Sequence, residues 1–291
     1  MSTPQETECF VNGRLAPSGG RKLAFVDWGA AGNERVAVCV HGLTRNSRDF
    51  DWLAASLSAT HRVLAVDVAG RGRSEWLEQP SGYAIETYIG DIFELLADLG
   101  IGEVDWIGTS MGGIMGIAVA GHEDEAVRGA IRRLVLNDIG PFLPSAPMTQ
   151  LAQRVGRAPL FPDMAAVEAY QHEVCAEWGD LPADRWAHLA EHSVREVEAG
   201  GFAYHHDPRI GDVVRAKSPV PDLDIWPVWD RITCPVMLLR GAESAILPAD
   251  VADEMTRRGP GAERIDYPGI GHTPSMMVED QIAAVTGGLN A

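Results

Sequence analysis

The chain has 291 residues, 46% of them hydrophobic and 22% charged, a composition ordinary for a folded globular protein and long enough for one large domain with an insertion or for two domains. Its formal net charge of −17 disfavours nucleic acid and anionic membrane surfaces as partners, and weakly favours neutral or cationic substrates over anionic ones. No apolar run approaches the ~18 residues a membrane span needs, and Met1 to Glu8 is too polar for a signal peptide, so a cytoplasmic location is expected.

The four cysteines (Cys9, Cys39, Cys175 and Cys234) have no C-x-x-C spacing and read as buried thiols of a reducing compartment. Residues 1–35 read as a polar lead ending in an early antiparallel strand, Leu23 to Gly29. Arg35 to Val40 is a continuous apolar run, expected to be a strand buried on both faces, and it stops at His41-Gly42-Leu43. Helical spacing over 49–57, a strand at Arg62 to Asp67 and a strongly amphipathic helix over 84–99 follow. Next comes Val104 to Gly113, which reads as strand, sharp turn and helix with Ser110 at the turn. A strand over Arg132 to Asn137 stops at Asp138.

This alternation implies an α/β fold with a doubly wound, mostly parallel sheet. It breaks at 141–227, where prolines punctuate helical segments near 148–156, 163–178 and 183–199 and no convincing strand is visible. The segment is expected to be an inserted helical cap on a core made of 1–140 and 228–291. Alternation resumes with a strand over Cys234 to Arg240, a helix at 248–258, a strand at Glu263 to Tyr267 and a last helix at 278–290.

Gly108-x-Ser110-x-Gly112 is the spacing of a nucleophile elbow: the turn is too tight for a Cβ at either glycine, and it lifts the serine hydroxyl over the sheet end. His272, in a Gly-rich loop after the last strand, is the matching candidate base. Other readings are weaker. Asp67 to Ser74 lacks the lysine of a phosphate loop, and Gly108 to Gly113 lacks the acidic residue of a dinucleotide site. His188 and His192, four apart, and His205-His206-Asp207 have zinc-capable types, yet a solvated face is the expectation and no metal is implied. Trp178, Trp186, Tyr204, Trp226 and Trp229 are expected mainly to pack the cap on the core.

His41-Gly42, the Asp67 to Ser74 loop, Gly108-x-Ser110-x-Gly112 and Gly271-His272 occur in this order and context over residues ~20–290. In this the chain resembles the α/β-hydrolase superfamily, specifically esterase-like members with a helical cap. The resemblance implies Ser110 as nucleophile, His272 as base, the backbone amides of Leu43 and Met111 as oxyanion hole, no cofactor, and a small-molecule ester-like substrate. It also implies a structural role for His41. The acid departs from the pattern. Relatives carry an aspartate where this chain has Ala245, in Arg240-Gly241-Ala242-Glu243-Ser244-Ala245. Either Ala245 replaces the acid and turnover is weakened, or Asp138 (with Glu243 nearer but less well placed) supplies it, or the chain is an impaired enzyme or a ligand-binding protein. Cleavage of an ester of a small or medium acid is expected. Cleavage of a C–C bond, lactone or amide remains open on the same fold.

Overall fold

The structure, a computed structural model, describes residues 4–13, 20–157, 159–198 and 200–290; the parts of the polar lead at 1–3 and 14–19 lie outside them. β1 (Gln5–Val11) and β2 (Arg21–Trp28) pair antiparallel. β3 (Val36–Val40), β4 (Arg62–Asp67), β5 (Val104–Thr109) and β6 (Ile131–Asn137) follow, interleaved with α1 (Asp51–Leu57), α2 (Ile85–Asp98), α3 (Met111–Ala120) and α4 (Glu125–Arg128). The 141–227 segment then holds β7 (Phe142–Leu143), α5 (Ser145–Arg154), β8 (Leu160–Phe161), α6 (Met164–Val174), α7 (Ala183–Ser193), β9 (Val194–Glu196), β10 (Phe202–Tyr204), α8 (Arg209–Arg215) and β11 (Leu223–Asp224). After α9 (Trp226–Trp229) come β12 (Val236–Gly241), α10 (Ala249–Arg257), β13 (Glu263–Tyr267) and α11 (Glu279–Asn290).

Among the described residues the main sheet has eight strands in the order β1-β2-β4-β3-β5-β6-β12-β13. From β4 to β13 every neighbouring pair is parallel, while β1 and β2 are antiparallel additions. The two-residue period of a strand divides the apolar runs between the sheet's two faces. On β3, Val36, Val38 and Val40 point to the face covered by α2, α3 and α10, with Ile92, Met115 and Met255. Ala37 and Cys39 point to the face covered by α1 and α11, with Leu53, Leu57 and Leu289. A strand apolar at every position is what a doubly covered parallel sheet requires.

Two expectations are corrected. Residues 5–11 are not part of an irregular lead: they form the edge strand β1, whose residue Val11 is fully buried and whose end is fixed by the amides of Asn12 and Gly13 donating to Glu94 Oε2. Its mixed polarity follows from its edge position, where only one face is covered. The 141–227 segment is not free of strands: β8, β10 and β9 form a small antiparallel sheet, and β7 pairs with β11. Runs of two or three residues carry no readable period, and the partners of β7 and β8 lie tens of residues away.

Candidate active site

β5 delivers its chain to α3 through Ser110, whose backbone sits at φ +50°, ψ −111°. That region costs an L-residue roughly 1–3 kcal/mol and persists only where surroundings over-determine it. They do. Ser110 N donates to Asn137 O at 3.1 Å, and Trp106 Nε1 holds Gly112 O at 2.9 Å. A Cβ on Gly108 would lie 2.3 Å from Gly112 O, and one on Gly112 would lie 2.0 Å from Val40 O. The glycines are therefore set by the approach of strand, turn and helix, as their spacing suggests.

His272 meets Ser110 from the loop after β13. Its Nε2 is 3.0 Å from Ser110 Oγ, and its Nδ1 is 2.7 Å from Asp138 Oδ2. The loop is tied by three hydrogen bonds, two to Glu177 and one from Asn137. Gly271 N donates to Glu177 O at 2.8 Å, His272 N donates to Glu177 Oε2 at 3.2 Å, and Asn137 Nδ2 donates to Pro274 O at 2.8 Å. Glu177 belongs to the 141–227 segment, so that segment touches the backbone of the histidine directly.

The carboxylate on His272 comes from the end of β6 and not from position 245. Parallel pairing of β6 with β12 sets Asn137 opposite Leu239, which brings Asp138 beside the end of β12. Asp138 is fully buried, with φ +54°. Its Oδ1 accepts from Gly241 N at 2.9 Å, and its Oδ2 accepts from Ser244 Oγ at 2.5 Å. The 241–245 turn thus supplies donors to a carboxylate instead of supplying the carboxylate. Ala245 is exposed, and so is Glu243. Two donors besides His272 fix the direction of the carboxylate.

On the other side of Ser110 runs the His41-Gly42-Leu43 turn. A Cβ on Gly42 would stand 3.8 Å from Ser110 Cβ, so the turn that leads into Leu43 passes close to Ser110. Met111 is the first residue of α3, where a backbone N–H has no carbonyl one turn earlier. His41 is fully buried and structural in its contacts: Val68 N donates to Nε2 at 3.1 Å and Nδ1 donates to Gly42 O at 2.7 Å. Asp67 is likewise structural in its contacts, accepting from the amides of Ser47 and Arg73.

Sequence reading missed Arg71. It is fully buried and reaches both Leu43 and Met111. Nε donates to Leu43 O at 2.8 Å, Nη1 to Ala69 O at 2.8 Å and Tyr88 OH at 2.7 Å, and Nη2 lies 3.7 Å from Met111 Sδ. An arginine in a Gly-Arg-Gly-Arg turn carries no sequence signal of burial.

The histidines of 141–227 do not form one cluster. His188 and His192 lie with Asp51, their ligand atoms within 4.8 Å of one another. Arg48, however, already holds Asp51 Oδ2 at 2.6 Å and 2.8 Å, and His188 Nε2 donates to Arg48 O at 2.9 Å. A guanidinium on the only carboxylate opposes a divalent cation, so the group acts as a contact between α7 and the start of α1. His206 lies apart, only 5% exposed. Trp178 and Trp186 pack with Leu189 and Met277, Tyr204 packs with Phe161, and Trp229 is fully buried in the core. Two open surface cavities, about 450 and 430 Å³, are lined by other residues (Trp186 and His172 in the first, Asn33 and Thr60 in the second), so neither is the Ser110 site.

Burial pushes His41 down to about 3, and burial with the nearby charge of Arg71 pushes His206 down to about 4. Both lie below the ~6.5 of an unfolded histidine, so the unfolded chain binds more protons as pH falls below that value. The stability these groups contribute is present above pH ~6.5 and lost toward pH 4. Around pH 5 each proton makes the loss steeper by about 1.4 kcal/mol per pH unit. Urea unfolding of His206→Phe between pH 5.5 and 4.5 is expected to show a pH slope shallower than wild type by that amount. Equal slopes would contradict the assignment.

No helix among the described residues is long and apolar enough to cross a membrane. Residues 37–286 match the family model described as "Alpha/beta hydrolase family". A 3-hydroxybutyrate-oligomer hydrolase of Cupriavidus necator is 34% identical over 92% of this chain and 93% of its own. A 2-(acetamidomethylene)succinate hydrolase of Mesorhizobium japonicum is 28% identical over 83% of this chain and 82% of its own. The crystal structure of an alpha/beta hydrolase from Novosphingobium aromaticivorans superposes with a TM-score of 0.85 at 30% identity, covering 98% of each chain. With this sheet order, this elbow and matches over nearly its whole length, the chain belongs to the alpha/beta hydrolase family.

Proposed function

We propose that the protein is a serine hydrolase that cleaves esters of short hydroxy acids through an acyl-enzyme, with Ser110 as nucleophile, His272 as base and Asp138 as acid. The observation that carries this reading is the continuous run Ser110 Oγ–His272 Nε2–His272 Nδ1–Asp138 Oδ2, at 3.0 and 2.7 Å. Asp138 accepts a hydrogen bond from the Nδ1–H of His272, which keeps that proton on Nδ1 and leaves Nε2 with a free lone pair. His272 takes the Ser110 proton as Oγ attacks the ester carbonyl carbon. The oxyanion is held by the Leu43 and Met111 amides. The C–O bond to the alcohol breaks as His272 returns the proton to the leaving oxygen. Water then gives a proton to His272 and attacks the acyl carbon, and the bond from that carbon to Oγ breaks as His272 returns the proton to Ser110, releasing the acid.

The substrate class draws on the 3-hydroxybutyrate-oligomer hydrolase, similar over almost the full length of both chains. The 141–227 segment is read as a cap over the site, because Glu177 within it binds the backbone of His272. Weakened turnover or a purely ligand-binding role rested on Ala245 alone, and a carboxylate already on His272 removes that ground.

The test is turnover of p-nitrophenyl esters and 3-hydroxybutyrate oligomers by wild type and Ala245→Asp. Wild type is expected to turn over, with Ala245→Asp within about threefold of it, since the acid is already present. A gain of orders of magnitude in Ala245→Asp would move the acid to 245. Absence of turnover in both would overturn the hydrolase reading.

A further inference from the structure

Arg71 and His206 stand outside the chemistry just described, and both have polar atoms without adequate partners. The Arg71 guanidinium is fully buried, and among the described residues no carboxylate lies within ion-pair distance of it. The nearby acids are committed elsewhere. Asp207 takes Tyr83 OH at 2.5 Å and Arg209 Nη2 at 2.6 Å. Asp67 takes two backbone amides. Arg45, a partly buried guanidinium of this region, is matched by both oxygens of Asp49. The guanidinium lies over the rings of Tyr88 and Tyr83, at 4.8 and 5.7 Å from their centroids, but among the described residues the hydrogen-bond partner of Nη2 is the Met111 thioether at 3.7 Å, a weak acceptor.

His206 is 5% exposed, and among the described residues neither ring nitrogen has a hydrogen-bond partner. Its ring lies beside Tyr204, centroids 5.2 Å apart. The bond from Asp207 N to Gly70 O, at 2.8 Å, joins the residue after His206 to the residue before Arg71. The two side chains therefore belong to one neighbourhood, one from the loop after β4 and one from the 141–227 segment. Buried donors without acceptors are costly, and a natural explanation is an acceptor that arrives with a ligand.

We propose that Arg71 and His206 form a carboxylate-binding subsite beside the oxyanion amides, and that the substrates are hydroxy-acid esters carrying a free carboxylate. The proposal rests on the hydrolase reading above and names its substrate class. Arg71 touches Leu43 and Met111, so a carboxylate bound to it sits a few bonds from a carbonyl held at those amides. Arg71 Nη2 donates to one carboxylate oxygen and a neutral His206 N–H donates to the other. The Met111 side chain, unbranched and flexible, yields the place it occupies against Nη2. The net charge of −17 does not oppose this, because exposed charges more than about 8 Å away are largely screened at physiological salt.

The experiment compares the linear 3-hydroxybutyrate dimer as free acid with its methyl ester, followed by acid release in a pH-stat. Wild type is expected to favour the free acid by about 10- to 100-fold in kcat/KM, the range of one or two charge-assisted hydrogen bonds. In His206→Phe and Arg71→Met that ratio is expected to collapse toward one, and His206→Gln, which keeps a donor, is expected to retain part of it. A second readout needs no variant: free 3-hydroxybutyrate is expected to inhibit wild-type turnover of p-nitrophenyl butyrate at least about tenfold more strongly than its methyl ester. Equal turnover and equal inhibition by acid and methyl ester would overturn the subsite and leave the hydrolase intact. An undiminished ratio in His206→Phe would remove His206 from it. Loss of all ester turnover in wild type would contradict the hydrolase reading itself.

Discussion

Asp138→Asn is expected to lower kcat by about 10⁴-fold, the size of the loss when the buried acid of a serine-protease triad is changed in the same way. Asparagine preserves volume and can still accept from Gly241 N, so the turn around β12 remains supported. What changes is the histidine. A carboxylate 2.7 Å from Nδ1 fixes the tautomer with its proton on Nδ1. The amide can present its NH₂ instead, which favours the proton on Nε2, where it blocks transfer from Ser110. Steady-state kinetics at saturating ester, with urea unfolding alongside, separates this from loss of fold. A fall of less than about tenfold in a stably folded variant would return the acid to another residue, Glu243 first.

Ser110→Ala is expected to have the larger effect, about 10⁶-fold in kcat, because it removes the atom that forms the acyl-enzyme. The residual rate above solution would come from binding and the two amides beside the site. Alanine keeps the Cβ that already tolerates φ +50°, so the elbow does not gain strain. A variant that kept a tenth or more of its activity would rule out a serine acyl-enzyme at 110. The order Ser110→Ala, Asp138→Asn, wild type, with steps of this size, also distinguishes catalytic roles from general damage, since destabilisation would scale with unfolding free energy instead.

The elements that position Ser110 were legible because their signals are local. A five-residue run apolar at every position, too short for a helix and ended by His41-Gly42, reads as a doubly covered strand, and β3 is one. Gly108 and Gly112 have their spacing because two backbones pass within van der Waals contact, a constraint visible as glycine in the sequence. β13 was bounded as the structure has it, since turns with Pro268 and Gly269 end it sharply. Asp138 was harder. Its neighbours in sequence, Asn137 and Ile139, say only that a strand ends there. Its meeting with His272 depends on the pairing of β6 with β12, residues a hundred positions apart, and on Ser244 turning its hydroxyl inward. The same limit explains β1, whose single covered face depends on α2, and the small sheet β8-β10-β9. Arg71 and His206 were hidden for a related reason. Charge and polarity read as exposure until long-range packing encloses them.

The central claim is that Ser110 is a nucleophile activated by His272 and Asp138. The most direct measurement is labelling with a fluorophosphonate, which reacts with activated serine hydroxyls, followed by intact mass and peptide mapping. One adduct per chain is expected, on Ser110, formed far more slowly in Asp138→Asn and absent in Ser110→Ala. An adduct on another residue, or labelling of Asp138→Asn at the wild-type rate, would contradict it.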